Sequence, residues 1–97
     1  MQRIEIIGNL AKDAVQVEGQ NGGHPFMSFT VICSEKRGDS EYKNAYEVAG
    51  AVTGVLDFLK KGKLVYVAGY PSARAYEGKD GQPAAQMRIS AQTIDLL

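Results

Sequence analysis

The chain offers few groups able to make or break bonds. It has one histidine and one cysteine in 97 residues, so a zinc site or a Cys–His nucleophile can barely be built. His24 stands between Gly23 and Pro25 at the start of an apolar run, where an exposed turn residue is expected. The carboxylates Glu35, Asp39 and Glu41 fall close together and could hold a hard cation, but a solvated loop accounts for them better. The glycine-rich run Gly19-Gln20-Asn21-Gly22-Gly23 lacks the Lys-Ser/Thr that a phosphate-cradling loop needs. The expectation is a protein without metal, cofactor or catalysis.

Tyrosines and cations are the more informative set. Unpaired nucleic-acid strands are held by aromatic platforms for bases and cations for phosphates, each stacked base contributing about 1–3 kcal/mol. The segment Lys63–Tyr76 supplies both. Strand alternation places Tyr66, Tyr70, Arg74 and Tyr76 on one face. The bland readings are that Tyr66 is core and that Tyr70 packs on a neighbouring strand. Tyr76 stands beside Glu77-Gly78-Lys79-Asp80-Gly81, a hairpin tip, and tips are exposed. Lys36 and Arg37 could clamp phosphates, or could simply be solvated. Lys60 and Lys61 suit the negative end of a helix. Tyr42 and Tyr46 could stack bases or pack against a partner subunit.

Short β-type runs must position these groups. Arg3–Leu10 is apolar at Ile4, Ile6 and Ile7, with Gly8 permitting the sharp bend that a barrel corner requires. A weaker run, Ala14–Glu18, precedes the glycine-rich turn. In Phe26–Cys33, Phe29, Val31 and Cys33 alternate with Ser28 and Thr30, the period of a half-buried strand. Lys36–Lys43 reads as a polar loop, and Asn44–Ala51 as a third strand with Tyr46 and Val48 on one face. Val52, Val55, Leu56 and Leu59 then stand at helical spacing. With Thr53 as N-cap and Gly62 as stop, this predicts a helix of two to three turns.

Lys63–Tyr76 returns to strand, with Pro71 demanding an edge or a bulge. Asp80-Gly81 closes a hairpin whose return strand, Ala84–Ile94, alternates Met87, Ile89 and Ala91 against Gln86, Arg88, Ser90 and Gln92. The order β-β-β-α-β-β in one domain spanning 1–97 is that of an all-β protein with one short helix: an OB-fold, a five-stranded, partly open Greek-key barrel.

Eleven basic and eleven acidic residues give zero formal charge, which counts against coating a polyanion by bulk charge and leaves room for a local groove. Cys33 lies in an apolar run, as a reduced cytosolic thiol would. No run is long and apolar enough to span a membrane, and the opening MQRIEIIGNL carries no leader pattern, so a cytoplasmic, nucleoid-associated location is expected.

Ile6-Ile7-Gly8-Asn9-Leu10 with Asp13, Phe26-Met27-Ser28-Phe29-Thr30-Val31, Leu59-Lys60-Lys61-Gly62-Lys63-Leu64-Val65-Tyr66-Val67-Ala68-Gly69, Arg74-Ala75-Tyr76 with Asp80-Gly81-Gln82, and Thr93-Ile94-Asp95-Leu96-Leu97 together resemble the bacterial single-stranded DNA-binding proteins. The likeness runs nearly end to end. It implies a homo-oligomer, tetramer or dimer, that binds single-stranded DNA without sequence preference in replication, recombination and repair, alongside other replication and repair proteins. By position, Tyr76 takes the place of a base-stacking tryptophan, and Arg74 and Lys61 those of backbone-contacting cations.

The chain departs from the pattern in having no tryptophan. The aromatic expected early in the third strand falls near Ala45–Tyr46, another is replaced by Ala49 or Ala51, and a tryptophan early in the loop corresponds to about Lys36. The resemblance also leads one to expect a flexible, acidic-tipped tail, which the residues up to Leu97 do not include. The candidate contacts are Tyr76, Arg74, Tyr70, Tyr46, Lys36, Arg37 and Lys61. The rival reading is an OB-fold protein–protein adaptor of the replication machinery, which zero net charge and a thinned aromatic set favour.

Overall fold

The computed structural model describes residues 1–19 and 22–97; Gln20 and Asn21, in the glycine-rich turn, lie outside them. Six strands form, β1 (Ile4–Leu10), β2 (Val15–Val17), β3 (Phe26–Arg37), β4 (Ser40–Ala51), β5 (Leu64–Glu77) and β6 (Pro83–Leu96). Five of them close a barrel in the order β1-β5-β6-β4-β3, with β3 returning to β1. The closure is narrow: Asn9 pairs with Ile32 and Leu10 with Val31. The weak run of the sequence is β2, which adds three residues to the free edge of β3. Only β4 and β6 run parallel.

Alternation decides what lies inside. Ile6 and Leu10 of β1, Met27, Phe29 and Val31 of β3, Val48 of β4, Val65 and Val67 of β5 and Ile89 of β6 are buried in one cluster, with Leu59 plugging an end. Two glycines let the backbones cross closely enough to curl the sheet. A Cβ on Gly8 would sit 2.4 Å from the Ile32 carbonyl oxygen, where β1 swings from β5 to β3. A Cβ on Gly69 would meet the Ser90 carbonyl oxygen at 2.1 Å. Beside that crossing the register slips, Ala68 facing Thr93 while Gly69 faces Ala91. Gln92 is therefore an extra residue, a bulge that brings Ile94 and Leu96 to the same face as Ile89 and Ala91. Pro71 follows where β1 has ended at the Ile4–Gly69 pair, so its missing N–H faces a free edge.

Two expectations are corrected. Lys36–Lys43 is not a loop: the β3–β4 ladder continues to the Arg37–Ser40 pair, closed by Gly38 (φ 60°) and Asp39. Glu35 and Glu41 consequently sit on opposite faces of that ladder, because Glu41 pairs with Lys36, and the suggested acidic cluster does not assemble. The helix is a five-residue 3-10 segment, Gly54–Phe58. Thr53 caps it as expected, its hydroxyl accepting from the Val55 N–H at 3.4 Å, and the same apolar stripe covers the core. Tertiary bonds stop it from winding further. The Leu59 carbonyl accepts from Ala14 N–H at 2.8 Å and the Lys61 N–H donates to Asp13 Oδ1 at 2.7 Å, so neither group is left for another turn. Lys60 and Lys61 come after this short segment and have no helix end to serve.

Close backbone crossing at Gly69 gives a direct test. Gly69→Ala should lower stability by about 1–3 kcal/mol through overpacking. Gly54→Ala, with nothing within 4 Å of its added Cβ, should stay within about 0.5 kcal/mol of wild type. Urea unfolding midpoints of the two variants check this.

Candidate nucleic-acid interface

The two long hairpins leave the barrel at the same end. Parallel pairing holds β4 and β6 together from Tyr46–Met87 to Ala49–Ser90; towards their tips the β3–β4 and β5–β6 arms part. Across the junction runs a continuous outward face. It carries Ser28, Thr30, Ile32, Ser34 and Lys36 on β3, and Glu41, Lys43, Ala45, Glu47 and Ala49 on β4. Gln86, Arg88 and Ser90 continue it on β6, and Tyr70, Ser72, Arg74 and Tyr76 on β5. Within the barrel, apolar core packing forces this set outward, since its members alternate with core residues such as Phe29, Val31, Val48 and Ile89, and strand alternation carries the same face onto the exposed arms.

Tyr70 and Tyr76 are 45% and 49% exposed. The Tyr70 hydroxyl accepts from Nε2 of Gln92, the bulge residue, at 2.7 Å, which steadies the ring and leaves its face open. Tyr76 stands near the tip of its arm, pairing with Ala84, and borders a groove of about 380 Å³ with Arg74 and Gln86. The tip itself is fixed by Gly81 (φ 78°) and by Asp80 Oδ1 accepting from Gln82 N–H at 3.0 Å. Among the described residues Arg74, Lys36 and Lys43 form no ion pair, so their charges are free for phosphates.

Four of the seven sequence candidates, Tyr70, Tyr76, Arg74 and Lys36, thus share one face. Three do not. Arg37 lies on the opposite side of its ladder, 3.1 Å from Glu35 Oε2 and 5.7 Å from the centre of the Tyr42 ring, so its charge is already engaged. Tyr46 points to the core side between Val31 and Met87 and packs against the core cluster. Lys61 occupies the turn before β5, tied to Asp13. Twelve strand positions separate that end of β5 from Tyr76 at roughly 3.3 Å each, in a molecule whose longest extent is 45 Å.

Tyr66 corrects a further expectation. It is not core: it faces outward between Ile7 and Asp95, its hydroxyl donating to Glu5 Oε1 at 2.7 Å. That bond holds the phenol above its ordinary pKa, with desolvation and the Glu5 charge acting the same way and Arg3 opposing. Sequence reasoning passed over Arg88, Lys43 and Gln86 as site residues. The alternation of β6 already put Arg88 and Gln86 outward, and the register of β4 was the missing signal for Lys43.

The profile of the single-strand binding protein family matches residues 1–97, the whole chain. The chain belongs to that family. Single-stranded DNA-binding protein 2 of Chlorobaculum tepidum is 30% identical over 100 residues, covering 95% of this chain and 68% of its own length. The single-stranded DNA-binding protein of Neisseria meningitidis serogroup A is 29% identical over 111 residues, covering all of this chain and 60% of its own. The chain therefore spans roughly two thirds of these relatives. A small single-stranded DNA-binding protein from Streptomyces coelicolor superposes with a TM-score of 0.82 at 21% identity, over 99% of this chain and 94% of the other. A Plasmodium falciparum SSB in complex with single-stranded DNA gives 0.69 at 21%, over 100% and 93%. At such identities the likeness is one of fold, and it is the five-stranded OB barrel of this family.

The Tyr66 bond predicts a pH effect. A folded-state pKa above the unfolded one contributes stability that is complete below the ordinary tyrosine value and lost as pH rises through the raised value. In an alkaline absorbance titration, one of the five tyrosines should ionise later than the rest. Glu5→Ala should remove that lag; a titration unchanged by the substitution would contradict the assignment.

Proposed function

We propose that this chain binds single-stranded DNA without general sequence preference, laying the strand across the outward face of β3, β4, β6 and β5. The observation that carries the reading is the joint exposure of Tyr70 and Tyr76 on one face with Arg74, Arg88, Lys36 and Lys43. Bases stack on the two rings, and stacking tolerates every base because each has a π-face. Arg74, Lys36 and Lys43, which form no ion pair among the described residues, take the phosphates. The family match supports the same conclusion, as do the relatives' names and the DNA-bound neighbour.

Roles in replication, recombination and repair, and a cytoplasmic, nucleoid-associated place beside other DNA-processing proteins, follow from that activity as part of the same proposal. No helix among the described residues is long and apolar enough to cross a membrane. Assembly into a dimer or tetramer is supported by a separate surface. Ile7, Leu64 and Leu97 are exposed together beside β1. The β1 edge over Ile4–Gly8 pairs only with β5 among the described residues, and an open edge invites another strand. The adaptor reading drew on zero net charge and a thinned aromatic set; the local excess of cations on the outward face offsets the first, and the joint exposure of Tyr70 and Tyr76 offsets the second.

Fluorescence anisotropy with oligo-dT at two salt concentrations tests the proposal. Tyr76→Ala should weaken binding by about 1–3 kcal/mol. Arg74→Ala should flatten the log–log salt dependence by about 0.7, the share of one phosphate contact on a single strand. Unchanged affinity in both variants would remove the outward face from the DNA path, and no binding at micromolar protein would return the adaptor.

A further inference from the structure

An acid stands where the proposed DNA path crosses the middle of the sheet. Glu47 lies on the outward face of β4, between Thr30 of β3 and Arg88 of β6. Its carboxylate would repel passing phosphates, so its position calls for a reason. Pairing with Arg88 is a weak one. The closest approach, Arg88 Nε to Glu47 Oε2, is 3.9 Å with side chains 46% and 32% exposed, beyond hydrogen-bond distance, and exposed pairs contribute little. Both groups therefore keep unused donors and acceptors. They border a groove of about 230 Å³ whose other walls include Ser72 and Ser90. Ser90 pairs directly with Tyr70, so a stacking ring stands next to the groove.

We propose that Glu47 and Arg88 form a base-reading subsite that prefers guanine. The inference rests on the outward face being the DNA path. Guanine presents an acceptor, O6, followed by two donors, N1–H and N2–H, along its pairing edge. A carboxylate accepts both N–H groups side by side while a guanidinium donates to O6, so one acid and one arginine in a single groove satisfy the whole edge. Thymine presents acceptor, donor, acceptor; with N3–H on the carboxylate, a carbonyl oxygen faces the second carboxylate oxygen. Adenine and cytosine each offer the carboxylate one amino group. Stacking on Tyr70 and Tyr76 remains blind to the base, so the preference is local to one nucleotide in the strand.

Anisotropy competition against labelled oligo-dT, using unlabelled all-T oligomers and the same oligomers with one central G, A or C, tests it. The G-containing competitor should bind about fivefold tighter than all-T, with A and C between. Glu47→Gln removes the charge and one acceptor, so all-T should bind tighter while the G-to-T ratio falls towards one. Arg88→Lys keeps a charge and loses the planar fork, so it should lower the G-to-T ratio. The subsite is wrong if wild type shows no guanine preference, or if Glu47→Gln tightens every oligomer equally. Those results leave the wider face intact as long as Tyr76→Ala still weakens binding. Failure of all oligomers to bind would sink both readings.

Discussion

The crossing of β5 over β6 at Gly69 and Ser90 governs both the core and the outward face. A strand has a side-chain period of two, so a residue out of step sends every later side chain to the wrong side. In β6, Ile89 and Ala91 must point inward and so must Ile94 and Leu96, which lie at odd and even positions. One extra residue reconciles them, and Gln92 is that residue. The bend needs a partner backbone that can approach within a Cβ radius, which is why Gly69 sits opposite. The bulge side chain then turns outward and donates to the Tyr70 hydroxyl. A single irregularity thus aligns the apolar half of β6 with the core, keeps Arg88 and Ser90 outward, and steadies the exposed Tyr70 ring.

Charge is arranged by the same alternation. The chain as a whole is neutral, yet its acids are unevenly placed. Glu5 accepts from Tyr66 and approaches Arg3; Glu35 holds Arg37; Asp13 accepts from the Lys61 N–H; Asp80 caps the hairpin tip. Each has structural work away from the stretch of surface that carries Tyr70, Arg74 and Tyr76. On the outward face Lys36, Lys43, Arg74 and Arg88 meet Glu41 and Glu47 alone. A zero total thus coexists with a locally cationic surface, since long-range fields are screened within about 10 Å at ordinary salt and a bound strand feels the nearby charges.

Periodicity made most of the barrel legible. The alternation of Phe29 and Val31 against Ser28 and Thr30, and of Ile89 and Ala91 against Arg88 and Ser90, separated the two faces of those strands, and Asp80-Gly81 marked its hairpin, whereas on β5 a core reading of Tyr66 had the faces reversed. What resisted reading was tertiary. Lys36–Lys43 has the polar composition of a loop, and only pairing along both hairpin strands makes it a ladder. The apolar stripe from Val52 to Leu59 has helical spacing, but bonds from Ala14 and to Asp13 cut the winding short. In the candidate site, parity along β5 was enough to put Tyr70, Arg74 and Tyr76 on one face. Arg37 lies on the other face of its arm, beside Glu35 and Tyr42. Tyr46 lies on the core side by the same alternation that placed Val48, and Lys61 lies away from the shared face because position along a resembling pattern does not encode distance around a barrel.

The balance of forces on this face also sets the kind of recognition it can perform. Four exposed cations offset by two acids can release only a few counterions, so the electrostatic share of affinity and its salt dependence stay modest. On the proposed path, stacking on two tyrosines would then carry a comparable share, at about 1–3 kcal/mol for each base. Stacking reads no sequence, because every base presents a similar π-face. Discrimination can enter only where a base edge meets polar groups whose hydrogen bonds are not already taken. On this surface Glu47 and Arg88 meet that condition: they are close enough to share one base and too far apart to satisfy each other.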